Sequence, residues 1–112
     1  MKRQPEIGSA ELPLVELDDV LQHRARIGAV VLLARHEQLS FSRLKALLQE
    51  TDGNLGAQMR KLEDAGYVAV RKEFQDRRPV TWYGLTAKGK RALSQHLAGL
   101  ERLIRQARRA RG

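Results

Sequence analysis

Residues 41–66 read FSRLKALLQETDGNLGAQMRKLEDAG, and the spacing of their apolar side chains decides how the chain is read. Leu44, Leu47 and Leu48 fall on one side of a first helix. Leu55, Met59 and Leu62 fall on one side of a second, at steps of four and three. These are helical periods, not the alternation of a strand. Between them, Glu50-Thr51-Asp52-Gly53 supplies a turn glycine and two good N-cap residues. Two short amphipathic helices on a tight turn make a helix-turn-helix, whose second helix is shaped for the major groove of DNA.

The rest of the chain is consistent with a nucleic-acid partner. It has 112 residues, enough for one domain with one modest core. Its net charge is +8 and its pI about 10.6, so a polyanion is the first partner to expect. The charge is uneven. Met1–Gln22 holds two cations and five anions, a net of −3, which leaves +11 on the remainder. Aromatic residues make up 4%, too few for the base-stacking surface of a single-strand binder. There is no cysteine, hence no disulfide framework or thiolate metal site, as befits a cytoplasmic chain. No run of 18 apolar residues is present, and the polar start lacks a signal-peptide core.

Outward from the motif, Met1 to Glu16 reads as a polar, flexible arm with Pro5 and Gly8, followed by a short helix over Leu17–Gln22. Arg24–His36 carries Ile27, Val30, Val31 and Ala34 at core spacing, so it is expected to be the central helix. Leu39–Phe41 reads as a brief strand, and Ser42 as the N-cap of a helix over Arg43–Glu50. The second motif helix is expected from Gly53 to Ala65, with Gly66 as its left-handed stop. Tyr67–Phe74 and Val80–Leu85 are rich in β-formers and flank the polar turn Gln75–Pro79, which predicts a hairpin. Thr86 caps a last helix reaching Arg109, in which Gly89 costs about 1 kcal/mol relative to alanine.

Five pieces in this order resemble the winged helix-turn-helix regulators of the broad MarR/ArsR class, in particular the compact bacterial group. They are His23-Arg-Ala-Arg-Ile27, Leu39-Ser-Phe-Ser-Arg-Leu44, Thr51-Asp-Gly-Asn-Leu55, Leu62-Glu-Asp-Ala-Gly-Tyr-Val68 and Leu85-Thr-Ala-Lys-Gly89. The resemblance covers roughly Leu17 to Leu103. It implies a mainly α fold with a small β-hairpin, flanked by N- and C-terminal dimerisation helices. The divisions are an arm over 1–16, a DNA-binding core over 17–85, and a dimerisation helix with a basic tail over 86–112. The implied function is double-stranded DNA binding by a homodimeric transcriptional regulator, a repressor.

Candidate contacts follow from the second motif helix. With Leu55, Met59 and Leu62 inward, Gly53, Ala57, Arg60, Lys61 and Asp64 face away, and Asn54 and Gln58 lie on the flank. Asn54 and Gln58 can bond adenine bidentately, and the Ala57 methyl can meet a thymine methyl. The helix start at Thr51 favours a phosphate. Gly56 and Ala57 stand where relatives are expected to carry small polar or basic side chains, which shifts weight to phosphates and DNA shape. Arg43, Arg60, Lys61, Lys72 and the wing arginines Arg77 and Arg78 are the phosphate-contact candidates. Of Trp82 and Tyr83, alternation puts at least one against the core.

The last helix places Leu93, Leu97, Leu100, Ile104 and Ala107 at steps of 4, 3, 4 and 3, the a/d seam of a helix pair, and so the expected dimer contact. An effector pocket in so short a domain is expected at that interface. His23, His36 and His96 are too scattered for a metal site; His23 and Arg26 read as anchors for the central helix. No GxxxxGK[ST] loop, Ser/His/Asp set or paired carboxylates occur, so neither catalysis nor a cofactor is expected. The residues alone also fit a winged-helix module for protein or RNA binding.

Overall fold

The computed structural model describes residues 14–109. Two 3₁₀ turns, Leu14–Glu16 and Asp19–Gln22, lead into α1 (Arg24–Arg35), β1 (Leu39–Ser40), α2 (Phe41–Leu48) and α3 (Asp52–Asp64). The hairpin β2 (Val68–Gln75) and β3 (Arg78–Leu85) follows, then α4 (Ala87–Arg109). The three strands form one antiparallel sheet in the order β1-β3-β2. This is the expected mainly helical, winged architecture. Most of the arm expected over 1–16 lies outside the described residues, as does Arg111 of the basic tail.

The core takes only part of the expected stripes: on α1 Val30 is buried but Val31 and Ala34 are exposed, with Ala29 and Leu33 inward instead, and on α2 Leu44 is buried while Leu47 is exposed. Leu21, Ala29, Val30, Leu33, Leu44, Leu55, Met59, Leu62, Val68, Tyr83 and Leu93 pack in one cluster. Every described element except β1 and the first 3₁₀ turn therefore contributes at least one side chain to it. The Tyr83 ring also lies 6.5 Å from that of Phe41, tying β3 to the start of α2.

Three boundaries differ from expectation, each for a local reason. The short helix expected over Leu17–Gln22 is instead a pair of 3₁₀ turns, so no N-terminal dimerisation helix is present there. Tertiary bonds take the backbone groups that an α-helix would use: Asp18 N–H donates to His96 Nδ1 at 2.9 Å, and Val20 O accepts from Arg26 Nε at 2.6 Å. Ser40, not Ser42, caps α2, its Oγ accepting from Arg43 N–H at 3.1 Å. Leu39 and Ser40 pair with Tyr83 and Trp82, so the strand runs straight into the helix and brings the cap forward. The hairpin turn is two residues, Asp76 and Arg77, both at positive φ (51° and 68°). This is the backbone of a primed turn, whose twist suits a hairpin.

Two glycines have strict roles. Gly66 at φ 80° follows α3 and donates to Glu63 O (2.9 Å), while Tyr67 N–H donates to Leu62 O (3.0 Å). That is the paired closure of a helix C-terminus around a left-handed residue. Gly89 lies where a Cβ would sit 2.3 Å from Tyr67 O, so the close crossing of α4 over the start of β2 requires it. Its expected helix cost is offset by that approach. Thr86 caps α4 as expected, its Oγ1 accepting from Gly89 N–H (3.0 Å) and donating to Gly66 O (2.7 Å).

The N-terminal turns dock on α4 through a polar cluster. The Tyr67 hydroxyl donates to the Asp18 carboxylate, and Lys88 Nζ lies 5.8 Å over the Tyr67 ring. Burial, then the bond to Asp18 and its charge, push the Tyr67 hydroxyl up to about 12. A phenol whose folded value lies above its unfolded value of about 10 stabilises the fold below that pH, and the gain disappears as pH rises toward about 12. Denaturant midpoints measured across that window should fall for the wild type and fall less for Tyr67→Phe; equal slopes would show that the Tyr67–Asp18 bond does not contribute.

Candidate DNA-binding face

The second motif helix, α3, is held from inside and open outside. Leu55, Met59 and Leu62 are buried. Thr51 caps the N-terminus, its Oγ1 accepting from Asn54 N–H at 3.1 Å. Outside, Asp52, Gly53, Gly56, Ala57, Arg60 and Lys61 line one shallow furrow along the helix. A Cβ added at Gly53 or Gly56 would meet nothing within 4 Å, so no contact inside the chain requires glycine at either position. Of its two acids, Asp52 pairs with Lys45 of α2 at 2.8 Å, and Asp64 lies exposed at the far end of the furrow.

The two amides expected to read bases differ in placement. Asn54 is exposed, as a reader must be. Its Nδ2 donates to Glu50 Oε1, and Glu50 in turn holds Arg24 at 2.7 Å. Gln58 is a correction. It is only 8% exposed, and its Oε1 accepts from Arg26 Nη1 at 2.5 Å. Position 58 borders the buried stripe, and a guanidinium from α1 is in reach to draw the amide inward. Gln58 therefore braces α3 against α1 instead of facing outward. Arg26 bonds both Gln58 and Val20 O, and His23 Nδ1 accepts from Ala25 N–H at 3.1 Å, so both anchor α1 as expected.

Glu50 and Arg24 were not visible as site residues in the sequence. Glu50 precedes the N-cap, so the four-residue spacing to Asn54 carries no helical meaning there. Only the fold of the turn brings the two side chains together. A carboxylate that orients an amide at the start of α3 is a positioning group for it.

The hairpin stands beside α3, with β2 packed against that helix. Arg77 occupies the turn, Arg78 opens β3, and both are exposed, as are Lys72, Arg43, Arg60 and Lys61. Arg71, a further strand cation, is engaged instead. It pairs with Glu73, donates to Gln38 Oε1 at 2.8 Å, and lies 6.0 Å over the Trp82 ring. Trp82 Nε1 donates to Glu73 Oε2 at 2.8 Å, so this tryptophan braces the outer face of the hairpin while Tyr83 enters the core.

The expected dimer seam divides. Leu93 is buried in its own domain, together with Gly89, His96 and Gly99. Leu93 is therefore a correction: it docks α4 on the core and is not available to a partner. Leu97, Leu100 and Ile104 remain 42%, 36% and 48% exposed on the same helix. Among the described residues, no group of three or more His, Asp or Glu side chains gathers at metal-holding distance, and no helix is long and apolar enough to cross a membrane.

Comparison with known proteins agrees with this geometry. A family model described as a winged helix DNA-binding domain matches residues 25–104. An uncharacterized protein of Methanocaldococcus jannaschii is 35% identical over 72 residues, 64% of this chain and 78% of the relative. The structure of a transcriptional regulator homologue from Pyrococcus horikoshii superposes with a TM-score of 0.76 at 29% identity, covering 85% of this chain and 94% of that one. The heme sensor protein PefR of Streptococcus agalactiae, solved with heme, gives 0.64 at 25% identity, covering 76% of this chain and 59% of its own. The chain belongs to the winged helix DNA-binding domain family, and its fold is that of MarR-like transcriptional regulators.

Proposed function

We propose that the chain is a sequence-specific duplex DNA-binding regulator that acts in the cytoplasm as a homodimer. The observation that carries this is the open face of α3. Each mid-helix glycine costs about 1 kcal/mol relative to alanine. Gly56, inside the helix, has no internal contact to justify that cost, Gly53 in the first turn is equally open, and Arg60 and Lys61 line the same furrow. Close approach of a phosphate backbone to the helix explains both the missing side chains and the cations. The exposed leucines of α4 supply a two-fold contact, and two-fold symmetry suits a pseudo-palindromic site. Repression by occupying that site needs no surface beyond the DNA and dimer faces. An effector, as heme is for the heme sensor PefR, would enter the groove between the N-terminal turns and α4, where Val15, Leu17, Ala92 and Ala98 alternate with Glu16, Asp18, Gln95 and Arg102.

Base reading is assigned to Asn54, helped by the Ala57 methyl. Arg43, Arg60, Lys61, Lys72, Arg77 and Arg78 hold phosphates, and the N-terminus of α3 at Thr51 adds its dipole. The test is selection of bound duplexes from a random pool, repeated with Asn54→Ala. The variant should relax preference at one base pair per half-site by about 1–3 kcal/mol. An unchanged sequence preference would remove Asn54 from the reading set. Stronger competition by duplex RNA than by duplex DNA would assign the face to RNA instead.

A further inference from the structure

Phe74 is 74% exposed, far more than the side chains that share its sheet face near the core. Its position follows from register. Val68, Val70, Lys72 and Phe74 lie opposite Leu85, Tyr83, Thr81 and Pro79, and directly opposed residues share a face. Val68, Val70, Tyr83 and Leu85 belong to the core or pack against it. The same face then runs beyond the helices, so Phe74 and Pro79 stand as an apolar pair over solvent.

The charge around this pair is one-sided. Lys72 precedes it on the same face of β2 and Arg77 occupies the turn just beyond it, while Arg78, opposite Gln75, begins β3 on the other face. Asp76 is the one acid in the turn. Glu73 belongs to the opposite face, where Arg71 and Trp82 engage it. An exposed phenyl ring collared by cations matches the minor groove of duplex DNA, with phosphates along its rims and apolar sugar edges within. Apolar side chains beside arginines are a recurrent means of minor-groove contact. A second copy of the chain would instead bring the same collar of cations against this one, and like charges oppose that.

We infer that Phe74, backed by Pro79, is an apolar DNA-contacting tip that lies against the minor groove while the neighbouring arginines hold its phosphates. This rests on the reading of the chain as a duplex DNA binder. Labelled duplex from the selected pool is titrated with the wild type, Phe74→Ala and Arg77→Ala over a salt series, and each protein's sedimentation mass is measured. Phe74→Ala should bind about tenfold more weakly with an unchanged salt slope, because the variant gives up apolar packing on the scale of base stacking and keeps every phosphate-holding cation. Arg77→Ala should reduce the slope by about 0.9 for each phosphate it no longer neutralises. Unchanged affinity of Phe74→Ala beside a wild type that binds would overturn the tip alone. So would a slope reduction equal to that of Arg77→Ala, or a change in mass, which would place Phe74 between copies of the chain. A wild type that binds no duplex at low salt overturns the underlying reading as well. Phe74 is exposed, so the variant should keep its fold, checked by circular dichroism.

Discussion

Replacing Arg77 and Arg78 together by alanine is expected to weaken duplex binding by roughly fiftyfold per bound protomer at about 0.1 M salt, with little change in sequence preference. The size follows from counterion release. Leaving two phosphates without their cations lowers the slope of log K against log salt by nearly two units, and that difference sets the weakening at a given salt. The preference should survive because phosphates carry no sequence information directly. The backbone adds an independent reason to assign Arg77 to function. It sits at φ 68° in a turn that glycine would occupy without strain. A non-glycine residue there costs about 1–2 kcal/mol. Arg77→Gly should therefore stabilise the fold while weakening DNA binding, a pairing of signs that a merely structural arginine would not give. Denaturant midpoint and duplex affinity, measured on the same preparation, check both halves.

The second large effect concerns α4. Leu97→Asp with Leu100→Asp is expected to halve the sedimentation mass and to lower affinity for a palindromic duplex by about 10²–10⁴-fold, the range set by making the second half-site an intramolecular event in the dimer. Both leucines are exposed in the single chain, at 42% and 36%, so the isolated domain should keep its fold. In a dimer the introduced carboxylates would face an apolar seam, where unpaired charge is strongly disfavoured. A mass that stays at the wild-type value would remove the seam. Leu93→Asp serves as the contrast. Leu93 is buried in its own domain, so that change should unfold the protomer before it tells anything about assembly.

The elements legible in the sequence are those whose identity is set locally. The steps between Leu55, Met59 and Leu62 place α3 correctly because three buried side chains on a short helix leave one orientation. Gly66 and Thr86 mark helix ends because their chemistry acts over a few residues. What stayed hidden depends on partners distant in sequence. Gln58 looks like a surface amide until Arg26, 32 residues away, is placed beside it. Ser42 reads as the cap until β1 pairs with β3, ends at Ser40 and makes that earlier serine the cap. The leucine stripe on α4 shows which residues share a face but not what covers each part of it. Leu93 goes to the core and the later leucines do not. The two-residue turn at Asp76–Arg77 lacks the glycine or asparagine that announces such turns, so its left-handed backbone is visible only in the fold.

The central claim is that the open face of α3 and the wing bind duplex DNA through their cations. It is tested most directly by titrating the wild-type chain against labelled duplex over a salt series. Binding should be tight at low salt and weaken linearly in log–log form, with a slope of roughly −5 per protomer for six phosphate-holding side chains. Absence of binding at low salt, or affinity that does not change with salt, would contradict it and assign this winged helix to a protein partner.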